Sequence, residues 1–301
     1  MDMNQIEATA KAILAEDAAL VESLLGTYYN GGSRCDAVLD EACRYSLLAG
    51  GKRVRPALTL EFCRLFGGDP QNALPFAAAV ETIHTFSLIH DDLPCMDDDD
   101  LRRGRPTNHK VFGEAYALLA GDGMALDALG LAASNHRVSP EMRACAVKLL
   151  SGAAGCGGMV RGQIVDMFGE EHSLTYEELL FLHAHKTGAL IRVAAQLGVL
   201  AAGLAEDSSE MAAAIGYAER IGLAFQVIDD ILDVVGDEAE LGKSLRSDAD
   251  RNKTTFMTYY TPDEARRYAA DLTAEAISAI ADFEASKTLT DLAAYLLDRT
   301  N

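Results

Sequence analysis

Tryptophan is absent from the 301 residues, and aromatic side chains make up only 7% of them. Proline occurs seven times, and sustained alternation of apolar and polar residues is hard to find, so a protein built mainly of sheet is not expected. No uninterrupted apolar run reaches about 18 residues, so no membrane span is expected. Positive charge is scarce: 26 Lys and Arg stand against 46 Asp and Glu, a formal charge of −20. That balance argues against a nucleic-acid partner, because phosphate backbones are bound by a basic face. It leaves room for small phosphorylated ligands, provided basic residues gather locally or metal ions screen the charge. The six cysteines show no CxxC pair and no regular spacing, which argues against a zinc site. The opening MDMNQIEATAKAIL does not read as a signal peptide, so reduced thiols in a cytoplasmic protein are expected.

What is present is helix. Ala, Leu and Glu dominate, and 49% of the residues are apolar, ample material for a buried core. TYEE (175–178) has the form of a capping box opening a long run. SPE (139–141) and TPDE (261–264) each place Pro at a first helical position with acids in the first turn. Helices are expected over 4–25, 36–49, 54–66, 72–93, 110–135, 140–168, 175–204, 208–235, 262–285 and 288–299. With short connections and no linker, the expectation is one all-α domain over 1–301. SGAAGCGGMVRGQIVD (151–166) carries five glycines, so a helix kept there implies close backbone packing or a bend, and a loop is the alternative.

The chemistry concentrates in acids. Asp91, Asp92 and Asp97 to Asp100 put six carboxylates into ten residues at the end of an apolar helix. Such crowding repels unless something cationic neutralises it or the run is simply solvated. Pro94 disfavours helix at Leu93, and a bend there folds Asp97 back beside Asp91. Asp98 to Asp100 are then expected to be solvated or paired with arginines. FQVIDDILDVVGD (225–237) ends another apolar helix, with Asp229 and Asp233 on one face about 6 Å apart. Two such pairs favour a shared Mg²⁺ site, since Mg²⁺ takes one or two carboxylates, waters and phosphate oxygens. Basic residues interleave with them: Lys52, Arg53 and Arg55 in GGKRVRP at a helix start, then Arg102 and Arg103, Lys186 in HAHKTGAL, and Lys243 and Lys253. This pattern fits phosphate held both directly and through metal.

GGKRVRP, DDLPCMD with LRRGRP, HKTGAL, DDILD preceded by FQ and the GK…NK pattern of 242–253 resemble, in that chain order, the signatures of trans-prenyl diphosphate synthases. The resemblance covers roughly residues 45 to 255, and the short Pro-containing insertion is similar to that of bacterial farnesyl and plant geranylgeranyl diphosphate synthases. It implies about ten mostly antiparallel helices around a central cavity (an isoprenoid synthase fold), a homodimer, and three Mg²⁺ ions, with Mn²⁺ as a possible substitute. By position, Asp91, Asp92, Asp97, Asp229 and Asp233 become metal residues. Arg102, Lys186 and Lys243 become contacts to an allylic diphosphate, and Gly51, Lys52, Arg55, His84 and Arg103 belong to an isopentenyl diphosphate site. Thr187 and Gln226 line the reacting carbon, and Lys253 supports the phosphates. Phe86, about 7.5 Å below Asp91 along the helix, would floor the tail cavity and limit the product to C15, although the helical wheel alone does not show which way it faces. The alternatives are a C20 geranylgeranyl synthase and a non-catalytic regulatory subunit, which would be expected to lose some of these residues. A class I terpene cyclase is disfavoured by the second DDILD motif and the lack of tryptophan. A Ca²⁺-binding protein is disfavoured because neither cluster has an EF-hand pattern.

Overall fold

The computed structural model describes residues 3–235 and 253–298. The chain folds as helices α1 (Met3–Leu25), α2 (Ala37–Leu47), α3 (Val54–Leu65), α4 (Pro70–Asp91), α5 (Asn108–Phe112), α6 (Glu114–Ala133), α7 (Pro140–Ala154), α8 (Met159–Glu171), α9 (Tyr176–His183), α10 (Ala189–Ala201), α11 (Ser209–Val235), α12 (Pro262–Ala279) and α13 (Lys287–Leu297). The helix ends follow local chemistry. Thr175 Oγ1 accepts from the Glu178 N–H at 3.3 Å while Glu178 Oε2 accepts from the Thr175 N–H at 2.8 Å, a reciprocal cap on α9. Thr261 and Glu264 repeat the device on α12, and Ser139 caps α7 just ahead of Pro140.

Two expected helices are broken and a third changes its hydrogen-bonding pattern. The run 110–135 divides at Gly113, whose φ of 91° no helix accepts. The run 140–168 divides at 155–158, where the glycines form a turn between α7 and α8. The run 175–204 stays helical but passes through a π turn at Ala184–Gly188, an extra residue inserted into the α ladder. A two-stranded hairpin, β1 (Leu101–Arg102) with β2 (Arg105–Pro106), lies in LRRGRP, a stretch with no strand-like alternation. The helix expected over 262–285 stops at Ala279.

The centre of the fold is α3, α4 and α10, each packed on the other two. Every side chain of α10 except Arg192 is buried. Phe62 of α3 meets Tyr217 of α11 edge-on at 5.4 Å, and the Tyr217 hydroxyl donates to the Leu289 carbonyl at 2.7 Å, tying α13 to this core. A smaller cluster around Phe256 joins α9, α11 and α12. Among the described residues, α6 and Ser209–Val234 of α11 are long and apolar enough to cross a membrane by length and mean hydropathy. The expectation from uninterrupted runs missed them because a hydropathy average tolerates an occasional charge. Both lie packed in the fold, α6 on α4 and α11 on α10 and α12.

Candidate active site

The C-terminal end of α4 organises the site. The helix stops at Asp91, Asp92 serves as its cap, and the chain then turns back so that the Asp97 N–H donates to the Asp91 carbonyl at 2.9 Å. The fold-back at Pro94 is therefore present. It leaves Asp98 with a left-handed φ of 50°. Burial raises the Asp91 carboxyl above the ordinary carboxylate range, and neighbouring Asp97 and Asp166 add to this against Lys186 and Arg102. Asp92 points elsewhere. It is buried, accepts from Arg102 Nε at 2.5 Å, and is pushed up to about 6 by that burial despite the arginine. Arg102 also reaches Asp99 at 3.3 Å, and Lys110 pairs with Asp100 at 2.7 Å, so these later acids do serve as partners for cations.

Two cavities flank α4. The first, about 440 Å³, is lined by Asp91, Lys186 and Thr187 together with Phe86, Leu118, Ile164 and other apolar residues. Phe86 thus faces the same chamber as Asp91. The second, about 380 Å³, gathers Gly51, Lys52, Arg55, Arg103 and His84 against Ile191, Ile221 and Phe225. Arg55 and His84 line both, so these two side chains form the partition. Burial and the surrounding Arg55, Arg103, Arg102 and Arg53 hold the His84 imidazole neutral, well below its ordinary pKa. Arg55 Nε is buried without a hydrogen-bond partner, a donor left for a bound group. Arg53 is committed to the fold: it contacts Glu81 at 2.5 Å, Glu22 at 2.9 Å and the Leu47 carbonyl at 2.7 Å. Arg103 donates to the Gly50 carbonyl, which fastens the hairpin to the loop before α3.

The π turn carries Lys186 and Thr187. Lys186 forms an ion pair with Asp166 of α8, and Lys253 Nζ sits 3.1 Å from both oxygens of the same carboxylate. Burial works against ionising Asp166, but the two ammonium groups outweigh it and hold its carboxyl below the ordinary range. Gly162 makes this contact of elements possible, since a Cβ there would lie 2.2 Å from the Lys186 backbone nitrogen. Thr187 Oγ1 and His183 Nδ1 each lie 3.2 Å from Gln226 Oε1, which joins the π turn to α11. His183 stacks on Phe256 at 5.1 Å, and its pKa is lowered to about 4 by burial. Further along α11, Asp230 accepts from the Phe256 N–H at 2.7 Å and Asp233 is buried, while Asp229 is within electrostatic reach of His183. The Asp166–Lys186 pair is an electrostatic neighbour of both Asp91 and His183. Asp229, Asp233 and Gln226 line neither cavity. Lys243 lies outside the described residues.

Among the described residues, no three His, Cys, Asp or Glu side chains converge closely enough to enclose a metal on protein ligands alone. Hard oxygen donors close to a cavity lined by Lys52, Arg55 and Arg103 nevertheless suit Mg²⁺, which takes few carboxylates and can complete its shell with phosphate oxygens and water. Burial and the neighbouring Asp97 both disfavour an ionised Asp91, and a bound cation would offset them. Sequence reasoning missed Asp166, His183, Glu81 and His90. The signal for Asp166 was an acid at the end of the glycine-rich run it had already singled out.

Residues 36–296 match the profile of the polyprenyl synthetase family. The chain belongs to that family. Among its relatives, this polyprenyl synthetase is 46% identical over 250 residues to a farnesyl diphosphate synthase of Geobacillus stearothermophilus, covering 82% of this chain and 83% of that one. It is 47% identical over 271 residues to a heterodimeric geranylgeranyl pyrophosphate synthase large subunit of Arabidopsis thaliana, covering 87% and 72%. An FPP/GFPP synthase of Zymomonas mobilis superposes with a TM-score of 0.86 at 32% identity, covering 97% and 99%. A geranyltransferase of Helicobacter pylori, complexed with magnesium and isoprenyl diphosphate, superposes with a TM-score of 0.80 at 32% identity, covering 96% and 95%. The polyprenyl synthetase thus has the isoprenoid synthase fold.

Proposed function

We propose that this polyprenyl synthetase condenses isopentenyl diphosphate head-to-tail with dimethylallyl and then geranyl diphosphate, yielding (2E,6E)-farnesyl diphosphate. The observation that carries the reading is the shared partition: Arg55 and His84 stand between a basic cavity and an apolar one that opens on Asp91. Two diphosphates brought to the two sides meet at that wall, which converts a bimolecular step into a local one. Lys52, Arg55 and Arg103, with neutral His84, hold the isopentenyl diphosphate. Lys186 and Arg102, already poised on carboxylates, present fixed positive charge to the allylic diphosphate as its C–O bond breaks, with Lys243 as a third expected contact and Lys253 supporting them through Asp166. Thr187 and Gln226 border the carbon that becomes cationic. Mg²⁺, three ions by family analogy and replaceable by Mn²⁺, would be held by Asp91, Asp97, Asp229 and Asp233 and would neutralise the diphosphate charge. Asp92 acts instead by orienting Arg102.

The C15 assignment rests on Phe86, whose ring lines the apolar cavity and is read as its floor. Geranylgeranyl relatives at 47% identity favour a second reading, a C20 product. A regulatory role is disfavoured because each cavity keeps its cationic side chains. The described surface also supports a homodimer: Tyr116, Leu119 and Leu126 form an exposed apolar stripe on α6.

The test is product analysis by chain length, with isopentenyl diphosphate and each of dimethylallyl, geranyl and farnesyl diphosphate as primer, before and after chelation of Mg²⁺. Farnesyl diphosphate from the first two primers and none of the C20 product from the third is expected. A predominant C20 product overturns the length assignment, and no elongation of any primer overturns the catalytic reading.

A further inference from the structure

Phe86 does not hold its position alone. His90 follows it by four residues on α4, one turn nearer Asp91 and on the same face. The two rings meet edge-to-face, with centroids 5.8 Å apart and planes at 74°, and both line the apolar cavity. On its other side the imidazole lies against α6. His90 Nε2 is 3.1 Å from the Leu118 carbonyl oxygen. A carbonyl only accepts, so this nitrogen carries the hydrogen and the ring is fixed in rotation. Asp122 Oδ1, at 3.8 Å from the same nitrogen, is too far to compete for it. The close approach depends on Gly121: a Cβ there would fall 2.1 Å from Nε2 and 2.4 Å from Cδ2 of the same ring.

We propose that His90 is a positioning residue for product length, a wedge between the α6 backbone at Leu118–Gly121 and the Phe86 ring, and that Gly121 sets how far that wedge stands from α6. The proposal rests on the reading of Phe86 as the cavity floor. A phenylalanine has two free torsions and is held only by what packs on it. Here one of its neighbours is a ring that cannot rotate without giving up its hydrogen bond. Removing the imidazole opens space into which the Phe86 ring swings, and the cavity lengthens. Adding a methyl at Gly121 does the reverse, driving the imidazole off the α6 backbone towards Phe86 and the chamber.

The two changes therefore shift product length in opposite directions, which a general loss of packing does not do. The experiment compares chain-length distributions of wild type, H90A, H90Q, G121A, F86A and the H90A/F86A double variant, each first shown to melt cooperatively. H90A is expected to move most product at least one isoprene unit longer and G121A to enrich the shorter one. H90Q keeps a donor for the Leu118 carbonyl and is expected to stay nearer wild type than H90A. The double variant should resemble F86A, since His90 acts through that ring. Wild-type product length in H90A, with F86A lengthened, overturns the wedge and leaves the floor standing. Unchanged product in F86A overturns the floor and the wedge together. Shifts of the same sign in H90A and G121A also overturn the wedge.

Discussion

Lys253 places its ammonium 3.1 Å from both carboxylate oxygens of Asp166. Lys186 occupies the same carboxylate, so one buried acid organises two cations that are far apart in the chain. Replacing Asp166 with Asn leaves Lys186 facing a neutral amide, while Lys253 keeps Glu170 at 3.2 Å. Breaking a buried pair in this way costs about 3 kcal/mol or more, so the urea midpoint of Asp166→Asn is expected to fall well below that of wild type. The KM for the allylic diphosphate should change as well, because Lys186 loses the group that aims it. Unchanged stability and KM together would show that the two lysines do not depend on Asp166.

His183 offers a separable test on the neighbouring helix. Its Nδ1 and the Thr187 hydroxyl converge on Gln226 Oε1, so the amide is held by two donors. His183→Leu removes one of them, and a net hydrogen bond of this kind corresponds to about a fivefold to tenfold loss in kcat. His183→Asn keeps an N–H near the Nδ1 position and should recover much of that loss. Burial puts the imidazole pKa at about 4, so the ring stays neutral through the neutral range and the ratio of variant to wild-type rates should be flat from about pH 6 to 9. A ratio that bends within that interval would mean that His183 titrates in the working enzyme.

The legible parts of this protein were those whose cause lies within a few residues. The TYEE cap, the Pro-led starts of α7 and α12 and the turn at Pro94 are each decided by neighbours in the chain. The acidic and basic motifs were legible too, because crowded charge at a helix end demands an explanation. The π turn at Ala184–Gly188 was not, since an inserted residue changes no hydrophobic period that a short window can detect. Asp166 was missed because its partners lie 20 and 87 residues away in the chain. Phe86 could be named as a depth but not as a direction, because helical rotation alone leaves open which neighbour it meets. Asp92 looked like its neighbour Asp91 in sequence and separated from it only once Arg102 came back through the hairpin.

The α6 stripe gives a prediction about assembly. Leu126 is 71% exposed and Leu119 56%, an unusual amount of uncovered aliphatic surface on one helix of an acidic protein. A second copy of the chain against this stripe would cover it. Light scattering is expected to give twice the mass of one chain for wild type, and Leu126→Glu should shift the equilibrium towards the monomer by placing a charge in the interface. A wild-type monomer at micromolar concentration, or a Leu126→Glu dimer of undiminished affinity, would place the contact elsewhere or remove it.

Asp17 and Glu61 both accept from the same nitrogen of Arg64, Asp17 at 2.7 Å, and the second oxygen of Asp17 has no partner. Burial, reinforced by Glu61 and opposed by the arginine, raises the Asp17 carboxyl from 3.8 to about 7. The folded chain therefore keeps a proton that the unfolded chain releases. Between about pH 4 and 7 the unfolded state gains from ionisation while the folded state does not, so this site's contribution to stability falls as pH rises and levels off above 7. Neutral His183 pulls the other way, since the unfolded imidazole binds a proton first as pH falls. The raw pH curve thus mixes both signs, and the informative quantity is the difference between wild type and Asp17→Asn. Asn still accepts from Arg64 but does not titrate, so its stability relative to wild type should rise from pH 4 to 7. Urea denaturation of both proteins across that range measures it; a constant difference would mean that Asp17 ionises in the folded protein much as it does in the unfolded chain.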